Sequence, residues 1–180
     1  MELYKLKFTI LQLEIFRLLC IKTAKKLNQR EIAQFLAVSP TAVGKSLILL
    51  QKEGLILLVK GKTNLNTVEL NRDNKKTLEL KRAENFKLFV ESGIIDYLED
   101  NYPGSTIVLF GSYARGDDTY SSDIDLAVIG SKKKEINLLK YEKLFEKEIR
   151  INYYKYLSEI NNHLKSNICN GIVLSGGFEL

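Results

Sequence analysis

Residues 108–130 read VLFGSYARGDDTYSSDIDLAVIG, and the fold turns on how they are understood. The β-branched run STIVLF (105–110) predicts a strand that stops at Gly111-Ser112, and DIDLAVIG (123–130) predicts a second one. Side chains alternate along a strand, so Asp123 and Asp125 point to one side. Ile124, Leu126 and Val128 point to the other, the face expected to be buried. Two neighbouring carboxylates repel and raise each other's pKa unless a cation neutralises them. A hard divalent ion such as Mg²⁺ suits such oxygen ligands, with substrate phosphates completing its shell. Gly111 permits close backbone approach, and Ser112 at a strand-to-helix turn offers a hydroxyl and backbone N–H groups to a phosphate. Arg115 adds a cation nearby. The chemistry these residue types point to is metal-assisted attack on a nucleotide phosphate.

Outward from this stretch, residues 73–102 read as helical, dense in charge at first and broken near Gly93, with Pro103-Gly104 as the stop. Downstream, EINLLKYEKLFEKE (135–148) reads as a helix and EIRINYYKY (148–156) as a strand. In that strand Ile149, Ile151 and Tyr153 alternate with Glu148, Arg150, Asn152 and Tyr154. The tail reads as a helix over 157–168, a short apolar element, and a turn at Ser175-Gly176-Gly177. His163, the only histidine, reads as a surface helix residue.

Gly111-Ser112, ten residues, then Asp123-x-Asp125 is the GSx10DxD pattern, and Arg115-Gly116 and Ser122 add to it. In this the sequence resembles the minimal (MNT-type) nucleotidyltransferases of the DNA polymerase-beta-like superfamily. The resemblance covers roughly residues 75–180. It implies transfer of a nucleoside monophosphate, most often AMP from ATP, with pyrophosphate released. Gly111, Ser112, Arg115 and Ser122 would then bind the nucleotide, and Asp123 and Asp125 would hold Mg²⁺ and serve catalysis. The family normally sets a third carboxylate on a following strand, to ligate a second ion and activate the acceptor. That position is read here as Asn152, so two ions are expected if the site is fully active and one if it is degenerate. Antitoxin-type members of the family adenylylate a HEPN ribonuclease partner, which makes such a protein one expected partner.

The first part of the chain has a different pattern. TILQLEIFRLLC (9–20) carries apolar residues at helical spacing. Asn28 and Glu31 form a cap-and-return pair for a short helix, and Ser39-Pro40 opens the next, which runs to about Glu53 before Gly54. LILLVK, GKTN and NTVEL then read as a β-hairpin. Helices followed by a hairpin resemble the winged helix-turn-helix of MarR/ArsR-type regulators, on Ser39, Val43, Leu47, Leu50, Gly54, Leu55 and Ile56. Ser39, Thr41, Ala42 and Lys45 would face a DNA major groove, and Lys60 and Lys62 on the wing would meet phosphates. Such domains also serve protein contacts and commonly form homodimers.

The expected fold class is therefore α+β: a winged helix-turn-helix over 1–72, a connecting helix over 73–102, and a nucleotidyltransferase domain with a mixed sheet over 103–180, helix 85–102 packing with it. Charge follows this division. Residues 1–72 carry twelve Lys+Arg against five Asp+Glu, while 73–180 carry fifteen against seventeen. A basic first module joined to a mildly acidic second one suggests different partners for the two, a nucleic acid for the first among them, and a solvated lysine-rich surface would give the same balance. The only cysteines, Cys20 and Cys169, are far apart, which argues against a zinc site. No apolar run reaches the length of a membrane span, and MELYKLKFTI lacks a signal peptide's apolar core, so a cytoplasmic protein without a membrane is expected.

Overall fold

Side-chain caps set the helices of the first unit. The structure, a computed structural model, describes residues 8–60 and 66–178. It divides into two compact units, Met1–Thr77 and Leu78–Leu180. Thr9 opens α1 (Ile10–Ile21) with a capping box: its hydroxyl accepts from the Gln12 N–H at 3.3 Å and the Gln12 side chain accepts from the Thr9 N–H at 2.8 Å. Asn28 caps α2 (Gln29–Phe35) by accepting from the Arg30 and Glu31 N–H groups, and Glu31 accepts from the Asn28 N–H at 2.6 Å. Ser39 accepts from the Ala42 N–H at 3.2 Å, with Pro40 at the first position of α3 (Pro40–Lys52). Each cap satisfies N–H groups that a helix start leaves unpaired.

Strands β2 (Ile56–Lys60) and β3 (Asn66–Leu70) form the antiparallel hairpin read from the sequence; its tip lies outside the described residues. A two-residue strand, β1 (Leu27–Asn28), pairs with β3 as well and gives the order β1-β3-β2. Two residues are too few to show a period of two, so sequence pattern does not reveal β1. Ile15, Leu19, Ile32, Val43, Leu50, Ile56 and Val68 are buried between helices and sheet. This is a winged helix-turn-helix.

The second unit contains most of α4 (Lys75–Glu91), the division falling within its first turn. There follow α5 (Ile94–Asn101), β4 (Thr106–Phe110), α6 (Gly111–Arg115), β5 (Ile124–Ile129), α7 (Leu139–Phe145), β6 (Ile149–Tyr154), α8 (Asn162–Cys169) and β7 (Ile172–Ser175). The sheet order is β6-β5-β4-β7, with β5 and β6 parallel and the other pairs antiparallel. Parallel neighbours need a crossover, and the segment carrying α7 supplies it. The segment read as a connector contributes core to this unit through Phe89, Ile94 and Leu98. The helix expected over 135–148 is confined to α7. The one expected over 157–168 is a 3₁₀ turn (Leu157–Glu159) followed by α8, which Asn161 caps afresh by accepting from the Leu164 N–H at 2.9 Å.

Both faces of the sheet are covered. Ile107, Leu109, Leu126 and Val128 pack with Phe89, Leu98 and Phe145 on one side. Val108, Phe110 and Ala127 pack with Ile160 and Ile168 on the other. The face carrying Asp125 is thus itself apolar one pair further along, because α8 covers it. Its end toward Gly111 is left for polar groups, and Asn152 is a further polar residue beside Ala127.

A buried polar cluster ties helix, loop and sheet of this unit together. Lys81 and Asp118 are fully buried and ion-paired. Asn85 Nδ2 donates to Asp118 Oδ1 at 2.8 Å, and Lys147 Nζ lies 3.2 Å from Oδ2. Lys147 also donates to the Thr119 and Ser122 carbonyls. Burial pushes the Lys147 ammonium's pKa down, and Asp118 pulls it back up. A charge in this setting is tolerated only because its partners are in place. Asp118→Ala leaves two buried amines without their carboxylate, so urea unfolding is expected to show a loss of about 3–5 kcal/mol.

Candidate functional site

The antiparallel pairing of β4 with β5 puts Phe110 across from Asp125, which brings the next residue, Gly111, against that carboxylate. A Cβ at Gly111 would lie 2.5 Å from Asp125 Oδ2, and its φ is +77°. No other residue fits there without moving the aspartate. Gly116, at φ +80°, closes α6, and a Cβ on it would lie 2.6 Å from the Leu78 carbonyl oxygen. The second glycine of the pattern therefore serves the close packing of loop on α4.

The loop from Asp117 to Ser122 is held by its own hydrogen bonds. The Thr119 N–H donates to Ser122 Oγ at 3.0 Å, and the Ser122 N–H donates to the Thr119 carbonyl at 3.1 Å. The Ser122 hydroxyl, expected at the nucleotide, is engaged in closing this turn. Arg115, also expected there, extends outward and donates from Nε to Asp117 Oδ2 at 3.2 Å. The Ser112 carbonyl accepts from the Asp117 N–H at 3.2 Å, fixing the first turn of α6 over the loop.

Asp123 immediately precedes β5 and Asp125 is its second residue; both are half-buried. Desolvation raises the pKa of the Asp125 carboxyl, the charge of Asp123 raises it further, and Arg150 and Arg115 act against this. The parallel β5–β6 register places Arg150 across from Asp125, and its Nη1 lies 2.7 Å from Asp123 Oδ2.

This corrects the expectation for Asn152. Asn152 pairs with Ala127, two pairs deeper in the sheet, and its Nδ2 donates to the Leu126 carbonyl at 3.4 Å. The two strands align by their first apolar residues, Ile124 with Ile149, so the residue level with the aspartates is Arg150. Matching IDL to IRI in the sequence is the signal that finds it. The buried cluster of Lys81, Asp118 and Lys147 had no such signal, since its members are far apart in the chain.

Asp123 and Asp125 are the residues that could hold a single divalent cation, for which two carboxylates leave further ligand positions to be filled by other oxygens. A second ion has no third carboxylate here: among the described residues no group of three or more His, Cys, Asp or Glu comes together. In the first unit, Ser39, Thr41 and Lys45 are exposed and Ala42 is half-buried on α3. Thr41, Lys45 and Ile48, spaced four and three residues apart, share a face, and Ile48 is 68% exposed on it. The Lys60 side chain and all of Lys62 lie outside the described residues. Among those residues no single helix is long and apolar enough to cross a membrane.

Residues 91–170 match the model of the nucleotidyltransferase domain family, a span that includes Gly111, Ser112, Asp123, Asp125 and Arg150. No curated protein matches the chain. Among solved structures, a variant of ZitR from Lactococcus lactis is 22% identical, with 55% of this chain and 65% of that chain covered and a TM-score of 0.42. The adhesin competence repressor AdcR from Streptococcus pyogenes is 19% identical, with 53% and 69% covered and a TM-score of 0.42. MepR, a transcription regulator of the Staphylococcus aureus multidrug efflux pump MepA, is 20% identical, with 53% and 63% covered and a TM-score of 0.39.

The raised Asp125 pKa has a consequence for stability. An acid whose native pKa exceeds its unfolded one destabilises the fold once pH rises above the unfolded value, about 3.9 for Asp. Asp125→Asn removes that penalty. Thermal unfolding in EDTA is expected to show the variant more stable at pH 7, with the gain shrinking as pH falls toward 4 and disappearing below it.

Proposed function

We propose that the second unit binds ATP with one Mg²⁺ between Asp123 and Asp125 and transfers AMP to a protein or nucleic-acid acceptor. The observation that carries this reading is Gly111 set against Asp125, at the head of a loop pinned from beneath, inside the nucleotidyltransferase match. Gly111 and Ser112 would lie along the triphosphate, and the ion would offset its charge at the aspartates. In the transfer an acceptor oxygen bonds to the α-phosphorus as the bond to the bridging oxygen of the β-phosphate breaks, and pyrophosphate leaves. Arg150, permanently protonated, takes no proton from the acceptor. An acceptor already ionised, such as a phosphate, suits this site best because it has none to give up.

The first unit, basic and built as a winged helix, would bring the transferase to DNA through Ser39, Thr41, Ala42 and Lys45. A second reading is a nucleotide-sensing transcriptional regulator that binds ATP without transferring it. The arginine across from Asp125 favours it. A homodimer and a HEPN-type partner are carried by the family resemblance alone.

α-Labelled ATP with Mg²⁺, alone and with the product of the neighbouring gene, separates the two. Transfer that disappears in Asp123→Ala/Asp125→Ala supports the transferase, and ATP binding without transfer to any acceptor supports the sensor. Absence of ATP binding rejects both. For the winged helix, Lys45→Ala is expected to weaken DNA binding and to lower the slope of log affinity against log salt by about one, measured by fluorescence anisotropy.

A further inference from the structure

Arg150 is fixed from two sides. Its Nη1 reaches Asp123 Oδ2 at 2.7 Å, while Nε and Nη2 donate to the two Glu148 carboxylate oxygens at 3.3 Å each. Glu148 thus braces a guanidinium whose remaining nitrogen, Nη1, is turned to Asp123. The side chain is 56% exposed, so the sheet does not need it for packing. A guanidinium pairs with carboxylate and with phosphate through the same planar fork.

Asp123 cannot serve Arg150 and a divalent ion equally. Both draw on one carboxylate, and two cations at that distance repel. An exposed ion pair is weak enough for an arriving ion to break. The displaced guanidinium then has Glu148 behind it and, being 56% exposed, can turn to the phosphates of a nucleotide lying along Gly111 and Ser112. A second ion, which would need a carboxylate across from Asp125, meets a positive charge instead.

We propose that Arg150 is the resident cation of this site. It holds Asp123 until a divalent ion binds, restricts the site to one such ion, and then turns to the phosphates of the nucleotide. The last two of these roles rest on the nucleotide reading, and the first does not. The roles differ from those of a third carboxylate in sign: Arg150 competes with metal and recruits anion, whereas a carboxylate recruits metal and repels anion.

Mn²⁺ titration of the full chain without nucleotide, followed by electron paramagnetic resonance, tests the first part. Arg150→Gln is expected to bind Mn²⁺ about two- to fivefold more tightly than the wild type, and Arg150→Lys to match the wild type. Equal affinity in wild type and Arg150→Gln, or no Mn²⁺ bound by either, overturns the proposal. Circular dichroism confirms that each variant is folded, which the exposure of position 150 leads one to expect. With a non-hydrolysable ATP analogue present, the wild type is expected to bind one Mn²⁺ per chain and Arg150→Asp two. Two in the wild type overturns the single-ion claim. Analogue affinity in EDTA should fall in Arg150→Gln, and an unchanged affinity removes the phosphate role. An analogue that binds no variant defeats the nucleotide reading together with the single-ion and phosphate roles, while the nucleotide-free titration still decides whether Arg150 competes with metal.

Discussion

Asp118 is buried because two ammonium groups and an amide reach it from separate parts of the chain. Lys81 and Asn85 come from α4 and Lys147 from the turn between α7 and β6. None of these groups would be stable in the interior alone, and each is tolerated there because the others are in place. What that cluster holds is the loop. Through Thr119 and Ser122, Lys147 fixes the backbone just ahead of Asp123, so the carboxylates in the open part of the site are positioned by a carboxylate that never meets solvent. A long polar loop between two strands would otherwise sample many conformations, and the entropy of that freedom is what the buried contacts oppose.

The open end of the sheet then works as an arrangement of charge. Burial and the charge of Asp123 disfavour ionisation of Asp125, and Arg150 offsets part of that. Gly111 removes the side chain that would push Asp125 aside, and Gly116 lets the same loop sit flush on α4. The two glycines of the pattern thus act on different neighbours, one on the chemistry and the other on the packing.

Much of this architecture was legible in the residues. Caps at Asn28 and Ser39, the hairpin, the two strands flanking the loop, and the aspartates on one face all follow from local rules of spacing and hydrogen bonding. What was not legible depended on pairings across the chain. The level of β6 relative to β5 is a tertiary quantity, and a slip of two residues keeps every side chain on its face while exchanging Arg150 for Asn152. Face assignment therefore succeeded where level did not. The second apolar layer, around Ala127 and Ile168, escaped for the same reason: whether a helix covers a face cannot be read from the strand alone.

The parallel pairing of β5 and β6 separates the site into two parts of different origin. Gly111 and Asp125 meet across adjacent antiparallel strands joined by a single loop, whereas position 150 arrives only after the crossover through α7. The strand pair makes no demand on the side chain at 150, which stands mostly in solvent. The backbone pairing of β5 with β6 would accept another side chain at 150, while the half built on Gly111 and Asp125 keeps its geometry. One exposed position thus sets the sign of the charge at this end of the sheet without touching the core.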